Sequence, residues 1–318
     1  MWTYRLLVSH ENVPLWRAQS YAGLANHQHL YTRHLASGKA DEIENWLARD
    51  FEDPAEPVID KVISDSRMYP EDWECLARFV AAQDIRTPAR MMELVARWQQ
   101  TLPDLVQNTL EESVQKLKDA QEKGETLTVT PNPLAREFPS RVTTHIEPGA
   151  EVGTLRLETA SGRAMWLFLM RYLLTNTVTA LLRHHWTILR PPPGVRWLTS
   201  DNPVIRLNYY GSGNYDFKGG WGREGGEILL PLSPEHMLYT KVGSKPRRDT
   251  VLPEMAQLIQ RLTIEHAHRF VFAIEPDPAV ENSGPRLVDP SAFKKEADFW
   301  TRWQDEQGEI ERALLRGR

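Results

Sequence analysis

The spacing of apolar residues predicts a helical first half, from about residue 38 to residue 124. Apolar side chains recur there at intervals of three and four, as at Ile43, Trp46, Leu47 and Phe51. That spacing lines one face of an α-helix. Pro70 and Pro88 each suit the first turn of a helix, and Thr87 is placed to cap the second of these helices. A further helix is expected from about Pro103 to Lys123, ended by Gly124.

The pattern then changes to short runs of β-branched and apolar residues, separated by Pro, Gly and Asn. These runs predict strands at residues 126–130, 142–146, 153–157, 185–189, 196–199, 204–207, 228–232, 237–240 and 270–274. Helices are expected at 162–183 and 253–266, and a C-terminal helical extension at about 289–318. Helices first and strands later predict an α+β fold, in which the N-terminal helical half packs on a mostly antiparallel C-terminal sheet within residues 125–276. We expect one domain over residues 1–318.

One stretch, Ala164–Leu182, has nearly the length of a membrane span. Arg171, Asn176 and three threonines fall within it, which favours a helix in a protein core over a helix in lipid. The first ten residues have too short an apolar run for a secretory signal. We therefore expect a cytoplasmic protein with no membrane partner.

The charge balance excludes a strong general attraction to polyanions. Lys and Arg number 38 against 43 Asp and Glu, and the isoelectric point is near 6.1. A nucleic-acid partner is therefore not expected, and a nuclease-like function has only basic clusters such as residues 245–248 in its favour. Cys75 is the single cysteine, which excludes an intramolecular disulfide and fits a reducing compartment.

Short motifs in a fixed order resemble a large, mainly bacterial family of uncharacterised proteins, the domain of unknown function 4238 family. The matching stretches are residues 30–32, 43–52, 79–88, 186–189, 197–204 and 230–234. The resemblance covers Trp2 to about Ile274 and implies a fold, but no reaction. Family members typically open with a His-any-Val-Pro-like segment before the part that residues 2–4 resemble. The resemblance therefore implies that this chain is truncated or lacks that segment.

Polar residues that follow a predicted strand form the first candidate site. Asp201 is the candidate acid/base or ligand-orienting group, with Ser200 and Asn202 as ligand-binding neighbours. Asp201 and Asn202, which precede Pro203, also suit a turn held by bonds from their side chains to nearby backbone N–H groups, and this interpretation is at least as well supported.

A helix junction supplies the second set of candidates. Arg86 is a candidate catalytic residue that would pair with Asp201 or hold an anionic ligand, and Gln83 lies one turn before it. A purely structural role, capping the end of a helix, is the alternative. Trp221, in the glycine-rich segment 211–226, is the last predicted ligand contact. That segment is either a mobile flap over a site or a disordered hairpin tip, and its closeness to Asp201 slightly favours the flap.

Other chemistry is weakly indicated. The pairs His27 and His29, and His266 and His268, have a spacing that metal ligands can use, but no known ligand motif is complete, so no metal site is predicted and the cofactor stays unknown. The leading hypothesis is an enzyme or ligand-binding protein with a polar site between the helical half and the sheet; whether it is an enzyme stays open. The alternative is a non-enzymatic interaction module that uses the glycine-rich loop with Trp300 and Trp303 against a protein partner.

Overall fold

The computed structural model describes residues 1–19, 33–35, 38–40, 42–125, 138–145, 154–245 and 251–315. The helices are α1 (Glu42–Leu47), α2 (Glu56–Ile63), α3 (Pro70–Ile85), α4 (Pro88–Lys123), α5 (Arg163–Tyr172), α6 (Thr179–Leu182), α7 (Pro253–His266), α8 (Pro278–Ser283) and α9 (Pro290–Leu315). The strands are β1 (Trp2–Arg5), β2 (Leu7–Val8), β3 (Trp16–Ala18), β4 (Arg33–Leu35), β5 (Gly38–Ala40), β6 (Ser140–His145), β7 (Thr154–Thr159), β8 (Trp186–Leu189), β9 (Thr199–Ser200), β10 (Ile205–Gly211), β11 (Asn214–Asp216), β12 (Glu227–Ser233), β13 (His236–Lys241), β14 (Phe270–Ala273) and β15 (Leu287–Val288). The fold is α+β, as the sequence predicts. The predicted strand 126–130, His27, His29 and most of the basic run after Lys245 lie outside the described residues.

A five-stranded antiparallel sheet, ordered β11-β10-β12-β13-β8, is the centre of the C-terminal half. Because side chains alternate along a strand, its two faces meet different partners. Ile228, Leu230 and Leu238 point to the helical half and join its core. Leu229 and Met237 point the other way and pack under α7. The sheet is therefore covered on both faces, by the helical half on one and by α7 on the other.

The N-terminus contributes a strand that the sequence analysis does not predict. β1 lies between β3 and β14, and β9 completes this four-stranded sheet on the far side of β14. Trp2 faces Ala273 and Arg5 faces Phe270 across the antiparallel pair. The strand has only four residues, too few for periodicity to identify. The predicted strand 196–199 is wrong in its first part, since β9 begins only at Thr199. Trp197 donates its N–H group to the Pro234 carbonyl oxygen and Leu198 donates to the Gln260 side chain, so neither pairs with a strand.

Helix α4 is one continuous helix of 36 residues, so the predicted break near Pro103 is wrong. Proline removes one backbone hydrogen bond from a helix and leaves the carbonyl group of the residue four positions earlier without a partner. Here both Pro103 and Gln99 are exposed, and water can therefore satisfy that carbonyl group. Thr87 caps the helix by accepting from the Arg90 N–H, as predicted.

Within the described part of the chain, one helical stretch, Arg163–Leu182, is long and apolar enough to cross a membrane. It comprises α5, a π-helical turn at Leu173–Thr177 and α6. Its Trp166 and Met170 are fully buried and belong to the same core cluster as Leu76 of α3. The stretch packs in the protein core, as the sequence predicts.

Helix α9 is joined to the start of α5 by buried polar contacts. Arg163 lies in the interior and makes a two-point pair with Glu311, at 2.9 Å from Nε to Oε1 and 2.9 Å from Nη2 to Oε2. Gln307 accepts the Arg163 backbone N–H at 2.8 Å. The close approach requires Gly162, because a Cβ atom there would overlap the Gln307 side chain.

Candidate functional site

The helix junction between α3 and α4 holds Gln83 and Arg86, and both side chains are half-buried. Arg86 forms an ion pair with Glu52. The partner of Arg86 comes from the π-helical turn at residues 48–52, which packs beside α3. The structure thus gives Arg86 a carboxylate partner other than the Asp201 predicted for it.

Asp201 lies in the turn after β9, and its carboxylate binds backbone. Oδ1 accepts the N–H groups of His268, Arg269 and Phe270 at 3.0 to 3.3 Å, and Oδ2 accepts the Arg269 N–H at 3.0 Å. The Arg269 guanidinium lies 3.6 Å away. The side chain is buried, so these bonds replace the water that the charge loses. The carboxylate holds the chain where α7 leads into β14.

The helix junction and the turn after β9 do meet. The contact is made by Thr87 and Asn202, which are the sequence neighbours of the predicted pair Arg86 and Asp201. Thr87 Oγ1 donates to Asn202 Oδ1 at 3.1 Å. Asn202 Nδ2 in turn lies 3.0 Å from His266 Nε2 and 3.1 Å from the His266 carbonyl oxygen. Ser200 is buried and accepts the Asn202 N–H at 3.2 Å, so the local turn bond comes from the serine, whereas the side chains of Asp201 and Asn202, for which turn bonds were predicted, bond to residues distant in sequence. Burial, with the nearby Arg206 charge, lowers the pKa of His266 to about 4.

Beside this contact, four charged side chains link the helical half to the sheet. Asp84 of α3 pairs with Arg206 Nε of β10 at 2.9 Å, and both are buried. Arg206 also donates to Glu93 of α4 at 3.0 Å and to the Gly219 carbonyl oxygen at 2.8 Å. Arg90 pairs with Glu93 as well. Two carboxylates and two guanidinium groups balance, so this cluster carries no net charge to attract a ligand.

The glycine-rich segment is anchored to that cluster. Trp221 is buried and its indole N–H donates to Asp84 Oδ2 at 2.8 Å. Gly219 lies so close to β10 that a Cβ atom would be 2.8 Å from the Arg206 carbonyl carbon. The first part of the segment forms the β10–β11 hairpin. A hairpin is therefore present at residues 211–216, whereas Trp221 belongs to the core and not to an open cover.

A family model described as protein of unknown function (DUF4238) matches residues 5–277. The chain belongs to the DUF4238 family. The match begins within β1, and the expectation that the chain lacks the opening segment of the family is not borne out. No curated protein and no solved structure matches this DUF4238 protein significantly.

On the opposite face of the five-stranded sheet, the DUF4238 domain has a cleft of about 400 Å³ beneath α7. Most of its lining is apolar: Leu189, Leu207, Leu229, Val251, Ile259 and Leu262 are among the residues that form it. Its polar groups gather on neighbouring strands. Glu227 and Lys241 face each other across β12 and β13, with Lys241 Nζ 3.2 Å from Glu227 Oε1. The Tyr239 hydroxyl bonds to Glu227, and burial together with that carboxylate raises the tyrosine pKa.

A wider groove of about 970 Å³ lies on the other side of α7. It shares Tyr209, Met255 and Leu258 with the cleft, but charged residues of both signs line it, including Arg196, Glu254 and Arg261. Ligand sites are usually apolar with a few convergent polar groups, which describes the cleft and not the groove. Neither the cleft nor the groove was predicted from the sequence. One sequence signal could have indicated the cleft. Glu227 comes just before one predicted strand and Lys241 just after the next, and in an antiparallel pair these two positions lie side by side.

One further sequence hypothesis meets a contrary observation. Trp300 and Trp303 are each 8% exposed and belong to the main core, so they do not form the predicted partner surface. His266 is bonded to Asn202, while His268 follows it in the turn that Asp201 holds. Among the described residues, no group of three or more His, Cys, Asp or Glu is arranged to hold a metal ion.

Proposed function

We propose that this DUF4238 protein binds a small molecule in the cleft between α7 and the five-stranded sheet. The observation that carries the proposal is an apolar cavity of about 400 Å³ whose polar groups, Tyr239, Glu227 and Lys241, converge on one part of its wall. That volume is within the usual range for ligand pockets. An apolar body would supply most of the binding free energy by leaving water, and the polar groups would orient it.

The interface between the helical half and the sheet supports ligand binding less well. Its charged residues form ion pairs with one another, and the rest of the contact is close-packed core. We propose that this interface positions the sheet beneath α7. The hypothesis that Asp201 and Arg86 act directly on a ligand, with Ser200, Asn202, Gln83 and Trp221 beside them, stays a prediction, and unfolding measurements on two variants test it.

We propose the cytoplasm as the place where the protein works. The single cysteine supports this, because it fits a reducing compartment. Fractionation of cells that produce the full chain, with immunodetection of each fraction, tests the proposal. Recovery in the membrane or exported fraction would contradict it.

The test of the binding site uses the neutral apolar dye N-phenyl-1-naphthylamine, whose fluorescence rises when it leaves water. We expect saturable binding to the wild-type protein. Met255→Glu should weaken it by about tenfold or more, because a carboxylate at the cleft wall resists the loss of its water. Met255 is 49% exposed, so the substitution leaves the core intact.

The matched control is Leu117→Glu on α4, where the leucine is 59% exposed and lies outside the cleft lining. This variant should bind the dye as the wild type does. Equal binding by the Met255 and wild-type proteins, or equal loss in both variants, would show that the dye does not occupy the cleft.

A further inference from the structure

The charge at the polar part of the cleft has a definite sign. Among the described lining residues, the charged ones are Glu227, Lys241 and Lys245, which are two ammonium groups against one carboxylate. Glu227 is already engaged, since it accepts bonds from both Tyr239 and Lys241. A cationic ligand would therefore find the one carboxylate among the described lining residues occupied, with two positive charges beside it.

Lys241 still has bonding capacity. An ammonium group has three N–H donors, and among the described residues one of them is directed at Glu227 Oε1. The side chain is partly exposed at the cleft, beside the apolar residues of β10 and β12. The remaining donors are available to an anionic oxygen. Lys245 is exposed on the same rim and adds a second positive charge.

The volume of the cavity limits the size of the apolar part of a ligand. At roughly 30 Å³ for each non-hydrogen atom, about 400 Å³ holds on the order of a dozen such atoms. The rest of the lining is mainly leucine, isoleucine, valine and methionine, with Tyr209 and Ser244 as its other polar members, so most of it offers no hydrogen bonds to a ligand body. The body that fits is a hydrocarbon of medium length.

We infer that the ligand is an amphipathic anion, a medium-length hydrocarbon whose carboxylate or phosphate head is bound by Lys241 with Lys245 nearby. This inference rests on the proposed binding site beneath α7. A head of either chemistry uses the same ammonium donors, since both present anionic oxygens that accept charge-assisted hydrogen bonds. The glutamate and tyrosine act as positioning residues that hold the Lys241 side chain at the cleft.

The test measures displacement of N-phenyl-1-naphthylamine from the full chain by four probes that share one alkyl chain: decanoate, decyl phosphate, decanol and decylammonium. We expect an anionic probe to displace the dye at a concentration at least tenfold below that of decanol and decylammonium, because a charge-assisted hydrogen bond contributes about that factor. Preference between decanoate and decyl phosphate then distinguishes a free acid from a phosphate ester. Either preference supports the inference.

Lys241→Met should remove the advantage of the anionic probes and leave displacement by decanol unchanged. Lys241→Arg should retain it, because the guanidinium keeps the positive charge and the donors. Lys218→Met, at an exposed lysine outside the cleft, is the matched control and should behave as the wild type. Loss of the anion advantage in the Lys218 variant would overturn the assignment to Lys241.

The outcomes separate the two proposals. If the dye binds and decanol or decylammonium displaces it as well as the anions do, the anionic head is wrong and the binding site stands. If the dye does not bind the wild-type protein and calorimetry detects none of the four probes, the binding site itself is wrong.

Discussion

A buried carboxylate can serve chemistry or hold a turn, and the contacts of Asp201 decide between these roles at the level of single atoms. Both of its oxygens accept backbone N–H groups from residues 268–270. A catalytic carboxylate needs an oxygen that can reach a substrate proton. The bonds of Asp201 instead suit a fixed anchor, whereas Arg86 is half-buried and pairs with one carboxylate.

Asp201→Asn should lower the free energy of unfolding by about 3 kcal/mol, since the amide keeps one acceptor and turns an N–H group toward the backbone donors. Arg86→Ala should cost less than about 1 kcal/mol, as removal of a partly exposed ion pair does. Urea unfolding of both variants beside the wild type measures the difference. An Asp201 variant as stable as the wild type would contradict the anchor role and favour the catalytic one.

Whether a side chain's partner could be predicted from the sequence depends on how far apart the two residues are along the chain. Thr87 as an N-cap depends on a neighbour three positions away, and it was predicted from sequence. The ion pair of Arg86 depends on where another helical segment packs, and the link between Asp84 and Arg206 joins residues 122 positions apart. Sequence periodicity contains no information on such angles and distances, so these partners were not predicted.

At the scale of elements, the apolar pattern predicted β8, β12, β13 and α7 closely because each has a regular face against a core. The prediction failed where an element was too short to show a pattern, and where a helix continued through a proline. β1 has four residues, and α4 continues through Pro103 because the affected carbonyl group faces water. The cleft was missed for a further reason: a cavity is defined by the distance between α7 and the sheet, which no single segment determines.

Helix α9 should contribute to the stability of the whole fold, since it buries charge against α5. Glu311→Gln should lower the free energy of unfolding by about 3–5 kcal/mol, because it leaves the Arg163 guanidinium buried without its charge partner. Glu309→Gln, on the exposed side of the same helix, should change stability by less than about 0.5 kcal/mol. Denaturant unfolding of the two variants checks this; equal effects would show that the buried pair adds nothing beyond helix propensity.

At the scale of the whole molecule, burial of neutral histidine makes stability depend on pH. The pKa of His266 falls from 6.5 to about 4 on folding, and burial also lowers the pKa of His236 and His268. Between pH 6.5 and about 4 the unfolded chain therefore binds more protons than the folded one. The stabilisation is fully present above pH 6.5 and is lost as the pH falls.

We expect the free energy of unfolding to be about 2 kcal/mol lower at pH 5 than at pH 7 from His266 alone, since one pKa unit corresponds to about 1.4 kcal/mol. Chemical denaturation across this range gives the slope. His266→Gln should flatten it, because glutamine does not titrate. The same slope in both proteins would assign the pH dependence to other groups.

The pairing of β1 with β14 has a consequence for how the protein is made. Residues 2–5 leave the ribosome well before their partners at 270–273, which are synthesised near the end of the matched family region. At about 5–20 residues per second, the first strand waits on the order of 15–50 seconds for its neighbour. During that time the helical half, whose contacts are local, is free to fold, while Trp2 and Tyr4 remain exposed to the cell. The four-stranded sheet can therefore close only after residues 270–273 have been translated, and until then the edge of β1 that pairs with β14 stays unpaired.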